Sequence, residues 1–177
     1  GRVRSTDDML WVCSQYLGKQ ITVVKLEMSV SERSVEAVCM ANDDGTYVVG
    51  LLSGMDPDEE RFVLCKEIFH VMLDRIQCRN LDLYSHVEEV TSCLSMLESE
   101  PNTAAAAEEL AIIAAMEFLC PFSAREAMLA AAEGNVDFAA IAAEYRIPQR
   151  FVEDFLSDHN TGFFREIADL FKQSKAA

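Results

Sequence analysis

The segment Arg61–Leu73, RFVLCKEIFHVML, holds the residues best suited to chemistry, because its helical periodicity carries K-E-x-x-H. In the related H-E-x-x-H signature, two histidines at i and i+4 share one helix face and bind zinc, while the glutamate acts as general base. Here Glu67 and His70 are present, but Lys66 stands at the first ligand position. A lysine with its ordinary pKa of about 10.4 is protonated at neutral pH and has no lone pair for a metal. The pattern therefore indicates a metal site that has lost one ligand.

The residues before this segment predict one helix and a small sheet. Apolar residues at helical spacing predict a helix over Asp7–Leu17, with Thr6 or Asp7 as its N-cap. Three β-branched runs predict strands, namely Ile21–Met28, Val35–Ala41 and Thr46–Leu52. The Asp-Gly pair in Asn42–Gly45 predicts a hairpin between the last two strands.

The residues after Leu73 predict only helices. The predicted helices are Val87–Leu97, Ala104–Leu119, Ser123–Ala132, Val136–Tyr145, Pro148–Leu156 and Gly162–Gln173. Ser123 and Glu126 have the spacing of a capping box at the start of the third of these. A helix, three strands and then helices to the end predict an α+β fold, with the sheet packed on the motif helix.

Composition and charge narrow the range of functions. The formal charge of −15 and the excess of acids over bases in the C-terminal helices argue against nucleic acid as a partner, although the helices around EYRIPQ imitate a helix-turn-helix. No apolar run approaches the roughly 20 residues that span a bilayer, so we expect no membrane insertion. No signal peptide is recognised, and the six cysteines form no C-x-x-C pair. We therefore expect a cytoplasmic protein with reduced, buried thiols.

An acidic interval separates Arg79 from Arg125, with no lysine or arginine between them. A solvated acidic face and a docking surface for a basic partner are both compatible with this composition.

Two motifs together resemble the ImmA/IrrE family of zinc metallopeptidases. RFVLCKEIFHVML is similar to the family's R-F-T-L-A-H-E-L-G-H-x-L-L helix, and Glu108–Pro121, EELAIIAAMEFLCP, is similar to E-x-x-A-N-x-F-A-A-x-L-L-M-P. The resemblance spans about residues 9 to 157. It implies a zincin-like domain over residues 1–122 and a helical extension over residues 123–177. It also implies that Glu67 is a vestigial general base and that His70 and Glu108 are vestigial metal ligands.

The chain departs from the family pattern at the positions that matter for zinc. Lys66 replaces the first histidine, Phe69 replaces a glycine, and Ile112 replaces an asparagine. Only His70 and Glu108 then remain as ligands, and catalytic zinc sites use three. We therefore expect no cofactor, and we expect Phe69 and Ile112 to fill the space of metal and substrate. We also expect the Lys66 ammonium to replace the metal and pair with Glu108, the alternative being that Lys66 reaches out to solvent.

These departures favour a catalytically inactive homologue that acts by binding a protein. The resemblance implies a helix-turn-helix transcriptional regulator as a candidate partner, because members of the family cleave such regulators. One alternative is an active zinc metallopeptidase, with Glu67 as general base and His86 as an unusual third ligand. Another is a structural or assembly module. His159 is expected to be an ordinary loop residue.

Overall fold

A computed structural model of the chain describes residues 4–27, 36–73, 104–132 and 134–176. The predicted helix 87–97 and His86 lie outside these ranges. The chain divides into two compact units, Arg4–Ala115 and Met116–Ala177. The predicted domain boundary, between residues 122 and 123, lies slightly further along the chain. The described residues form helices and a small three-stranded sheet, as an α+β fold requires.

The first unit starts with helix α1, Thr6–Tyr16, followed by strands β1, Ile21–Leu26, β2, Ala37–Ala41, and β3, Tyr47–Leu52. The N-cap of α1 is Ser5, not Thr6 or Asp7, because the Ser5 hydroxyl accepts a hydrogen bond from the backbone N–H of Asp7. The strand order is β1-β3-β2, with β1 parallel and β2 antiparallel to β3.

The predicted hairpin between β2 and β3 is confirmed. The backbone N–H of Asn42 donates to the carbonyl of Thr46 at 2.8 Å, which closes the turn. Asp44 supports it by accepting from the Thr46 backbone N–H at 2.9 Å. Gly45 has a φ of 81°, a conformation that favours glycine, so the Asp-Gly signal has a direct structural cause.

Helix α2, Pro57–Leu73, packs on one face of the sheet, as predicted. Val49 and Leu51 from β3 and Val63 from α2 form the centre of this contact, and all three are buried. On the opposite face, Leu26 and Val38 close over Gly50. A Cβ added to Gly50 would lie 2.7 Å from Leu26 Cδ1 and 3.2 Å from Val38 Cγ1, so the absence of a side chain permits this packing.

The remaining described helices follow the predicted order. They are α3, Ala104–Leu119, α4, Phe122–Ala131, α5, Phe138–Tyr145, α6, Gln149–Phe155, and α7, Asp158–Ala176. Within the described ranges, none of the helices combines the length and the apolar character that crossing a bilayer requires.

Two predictions about helix starts are wrong, namely the capping box of Ser123 and the start of the last helix at Gly162. Helix α4 begins at Phe122 with Pro121 as its N-cap and no side-chain cap, so the capping box of Ser123 does not form. Glu126 instead pairs with Arg165. Helix α7 begins at Asp158 rather than Gly162, because the hydroxyl of Ser157 accepts from a backbone N–H in its first turn.

Arg125 is the largest fully buried side chain of the second unit. Its guanidinium binds the Glu117 carboxylate and donates to the Cys120 carbonyl at 2.7 Å. Three aromatic rings surround it, with the guanidinium carbon 4.8 to 5.7 Å from their centroids: Phe122, Phe155 and Phe164. Its Nε is buried without a hydrogen-bond partner among the described residues. This arginine joins α3, α4, α6 and α7 through charge and ring contacts.

The described cysteines are free. Cys13, Cys65 and Cys120 are buried as expected, whereas Cys39 is only half-buried. Burial raises the pKa of the Cys65 thiol to about 12, the charge of Arg61 opposing this only in part, so this thiol is unreactive at neutral pH.

Candidate functional site

Helix α2 carries four of the predicted site residues, namely Lys66, Glu67, Phe69 and His70. Glu67 is buried, and Lys66 and His70 are half-buried. Lys19 contacts this helix in its last described turn, where its ammonium donates to the carbonyl of Val71. Nothing in the sequence indicated this role for Lys19.

Helix α3 brings Glu108 against these residues. The Lys66 ammonium lies 2.6 Å from Glu108 Oε1, and His70 Nε2 lies 2.7 Å from Glu108 Oε2. The predicted contact between Lys66 and Glu108 is therefore confirmed. Lys66 contacts one oxygen of the Glu108 carboxylate and His70 contacts the other. The two contacts together fix the orientation of the carboxylate.

Glu67 completes the cluster through Lys66. The ammonium lies 3.1 Å from Glu67 Oε1 as well, so it bridges two carboxylates. Consecutive residues on a helix do not face each other, and the sequence predicted only the Glu108 contact. The four-carbon stem of lysine is long enough to bend back to its neighbour, which its sequence position alone does not show. We refer to Lys66, Glu67, His70 and Glu108 as the ion cluster.

The contacts within the ion cluster stabilise the charged forms of Lys66 and Glu108. Burial by itself lowers the pKa of Lys66, but the carboxylates of Glu67 and Glu108 outweigh it and raise the pKa to about 12. Burial likewise opposes ionisation of Glu108, but the hydrogen bond from His70 and the charge of Lys66 hold the pKa of that carboxyl at about 2. Lys66 is therefore an ammonium and Glu108 a carboxylate throughout the physiological range of pH.

The residues of the ion cluster do not fit a zinc ion. Zinc needs at least three protein donors with free lone pairs, but His70 Nε2 already pairs with Glu108, and both carboxylates already bind the Lys66 ammonium. Over the part of the chain that the structure describes, no three His, Cys, Asp or Glu side chains are grouped so as to hold a metal. His159 is exposed on the first turn of α7, not in a loop, and belongs to the second unit.

Phe69 and Ile112 are both half-buried, Phe69 on α2 and Ile112 on α3. This intermediate burial is compatible with the expectation that they fill space beside the ion cluster, which stays a prediction.

Comparison with known proteins gives no family. No family model matches the chain, and no curated protein matches it. Among solved structures, it is similar to a Mycobacterium tuberculosis transcriptional regulator, with 16% sequence identity and a TM-score of 0.46. The similarity covers 85% of this chain and 40% of that one, so this chain spans less than half the length of that protein. At this TM-score the likeness carries no weight for fold or function.

Proposed function

We propose that this protein is a non-catalytic relative of the ImmA/IrrE metallopeptidases that acts by binding another protein. One observation carries the proposal. The residues that the sequence resemblance places around a metal do converge, and at their centre the Lys66 ammonium contacts Glu67 and Glu108. A lysine that replaces a ligand by chance and extends into solvent would not make both contacts.

An ammonium can balance charge, but it cannot replace the chemistry of zinc. A catalytic zinc ion polarises the scissile carbonyl and lowers the pKa of its bound water to about 7, and both effects need a vacant coordination position. The Lys66 ammonium has no such position. The ammonium also forms an ion pair with the carboxylate of Glu67. In the metallopeptidases that the sequence resembles, the glutamate at this position takes the proton from water. The cluster thus supports a folded scaffold rather than hydrolysis.

The proposed partner is a protein with a basic surface. A net charge of −15 favours association with positively charged partners and disfavours phosphate backbones. Helix-turn-helix regulators, which the family resemblance suggests, carry basic recognition helices and satisfy this requirement.

The test is the zinc content of full-length protein purified without chelator from zinc-supplemented medium. We expect far less than one zinc per chain for the native sequence. We expect about one zinc per chain for Lys66→His, which restores a third donor beside His70 and Glu108, and none for the control Lys66→Gln. About one tightly bound zinc in the native protein, together with metal-dependent peptide hydrolysis, would overturn the proposal in favour of an active peptidase.

A further inference from the structure

Helix α1 has an outer face that is unusually rich in exposed apolar side chains. Met9 and Cys13 are buried on the inner side, and Cys65 of α2 packs against Met9 there. On the outer side, Trp11 is 56% exposed and Tyr16 is 74% exposed. Their rings contact each other edge to face, with centroids 5.5 Å apart. Val12, also exposed, extends this apolar surface.

Single exposed apolar residues are ordinary, but a contiguous group that includes tryptophan and tyrosine is typical of a binding surface. These two residues dominate binding energy at many interfaces, since they bury a large area with few rotatable bonds. The mutual contact of the Trp11 and Tyr16 rings restricts both of them before any partner arrives.

The charged side chains within helix α1 are all acidic. Helix α1 contains Asp7 and Asp8, both exposed at its N-terminal end, and no lysine or arginine. We define the α1 outer face as Asp7, Asp8, Trp11, Val12 and Tyr16. It combines carboxylates with the electron-rich faces of two aromatic rings, and both attract ammonium and guanidinium groups.

A second copy of this chain does not suit the α1 outer face. Two copies would bring like charges together, and each carries −15. A single helix face also supplies only part of the roughly 800 Å² per partner of a stable interface. A short amphipathic segment needs less area and can bring its own positive charges.

We propose that the α1 outer face binds an amphipathic segment of a partner protein, with apolar side chains on Trp11 and Tyr16 and lysine or arginine beside Asp7 and Asp8. This inference rests on the proposed binding function and gives it a surface and a partner chemistry. Zinc content and binding at α1 are separate readouts, so either proposal can fail while the other stands.

The test uses Trp11, the single tryptophan of the chain, as an intrinsic reporter in the full-length protein. The probes are two tryptophan-free helical peptides with the same leucine face, one flanked by lysines and the other by glutamates. We expect the lysine peptide to shift the emission of Trp11 to shorter wavelength in a saturable way, and added salt to weaken the binding. The glutamate peptide should produce no shift.

Variants locate the site. Tyr16→Ser changes an exposed side chain, so the fold is kept, and it should weaken binding of the lysine peptide about tenfold or more. Asp7→Asn with Asp8→Asn should weaken it several-fold. The matched control, Glu153→Gln with Asp154→Asn on α6, removes the same charge from other exposed positions and should leave the affinity unchanged.

Three results would overturn the proposal. The first is a Trp11 emission maximum that is already typical of a buried indole when no peptide is present. A second copy or another part of the protein would then cover the Trp11 side chain. The second is an equal response to both peptides. The third is an equal loss of affinity in the α1 variants and in the α6 control, which would mean that the peptide follows net charge alone.

Discussion

Lys66 and Glu108, 42 positions apart in sequence, meet with 2.6 Å between the ammonium nitrogen and a carboxylate oxygen. The contact joins α2 to α3, and less than a fifth of either side chain is exposed to solvent. By the sequence resemblance, Lys66 stands at the position of the first metal ligand, and Glu108 stands at the position of another. A pair of this kind stabilises the fold only while both members are present, because either charge alone would be costly in a half-buried site.

Removing the Lys66 ammonium should destabilise the protein strongly. In Lys66→Ala, Glu67 and Glu108 lose their shared cation, and we expect a loss of about 3–5 kcal/mol in the free energy of unfolding. The matched control is Lys25→Ala. Lys25 pairs with Glu60, but its side chain is 48% exposed, so its loss should cost less than about 1 kcal/mol. Urea denaturation of both variants measures the difference, and equal losses would show that the ion cluster carries no special weight.

Acid should weaken the fold through Glu108. Its pKa is about 2 in the folded protein, below the value of about 4.3 in an unfolded chain. The Glu108 carboxylate therefore contributes fully to the free energy of unfolding above about pH 4.3. This contribution, on the order of 3 kcal/mol, is lost as the pH falls towards about 2. In Glu108→Gln this part of the acid sensitivity should disappear. Chemical denaturation between pH 2 and pH 6 compares the two chains, and parallel pH profiles would contradict the assignment.

Alkali should act through Lys66 in the opposite sense. The pKa of Lys66 is raised to about 12, above its ordinary value of about 10.4. Its contribution to the free energy of unfolding is therefore complete below about pH 10.4 and is lost as the pH rises through about 12. Lys66→Gln should lack this component. Unfolding measured between pH 9 and pH 12 checks the sign, and a native protein that loses no more stability there than Lys66→Gln would refute it.

Gly50 should tolerate no side chain at full stability. Gly50→Ala places a methyl group against Leu26 and Val38, and we expect a cost of about 1–3 kcal/mol. Combining it with Leu26→Ala should recover at least about 0.5 kcal/mol relative to additivity, because the clash is relieved. Gly162→Ala is the control, since a Cβ there meets nothing within 4 Å. Thermal and urea unfolding of the four variants measure these differences, and full additivity would argue against the close contact.

Arg125 should be the most sensitive position of the second unit. Arg125→Ala removes a fully buried side chain that contacts three aromatic rings, and it leaves the Glu117 carboxylate without its cation. We therefore expect the free energy of unfolding to fall by about 3–5 kcal/mol. Arg165 pairs with Glu126 at an exposed site, and Arg165→Ala should cost less than about 1 kcal/mol. Circular dichroism during denaturation reports both, and similar losses would mean that the guanidinium is not central to this unit.

The sequence predicted those parts of the molecule that depend on local patterns. Hydrophobic periodicity located the described helices and strands, and the Asp-Gly pair located the hairpin, because these signals act over a few residues. The contact between Lys66 and Glu108 was predicted because a resemblance placed both beside one metal. The bridge to Glu67 and the bond from Lys19 to Val71 were not predicted, because flexible side chains reach partners that spacing does not specify.

The errors also have physical causes. The capping box of Ser123 failed because Pro121 and Phe122 start the helix earlier, and the Glu117 carboxylate already accepts from the Phe122 backbone N–H at 3.1 Å. The burial of Arg125 was not predicted, because an arginine in sequence indicates an exposed residue and only the fold brings three phenylalanines around it.

The ammonium at the centre of the ion cluster has a consequence for how the protein matures. A metalloprotein becomes complete only after synthesis, when an ion has been acquired from a limited supply and in competition with other proteins. Lys66 is delivered by the ribosome in the same chain as the carboxylates that it binds. Charge balance within the ion cluster therefore comes from the chain itself and forms together with the contact between α2 and α3.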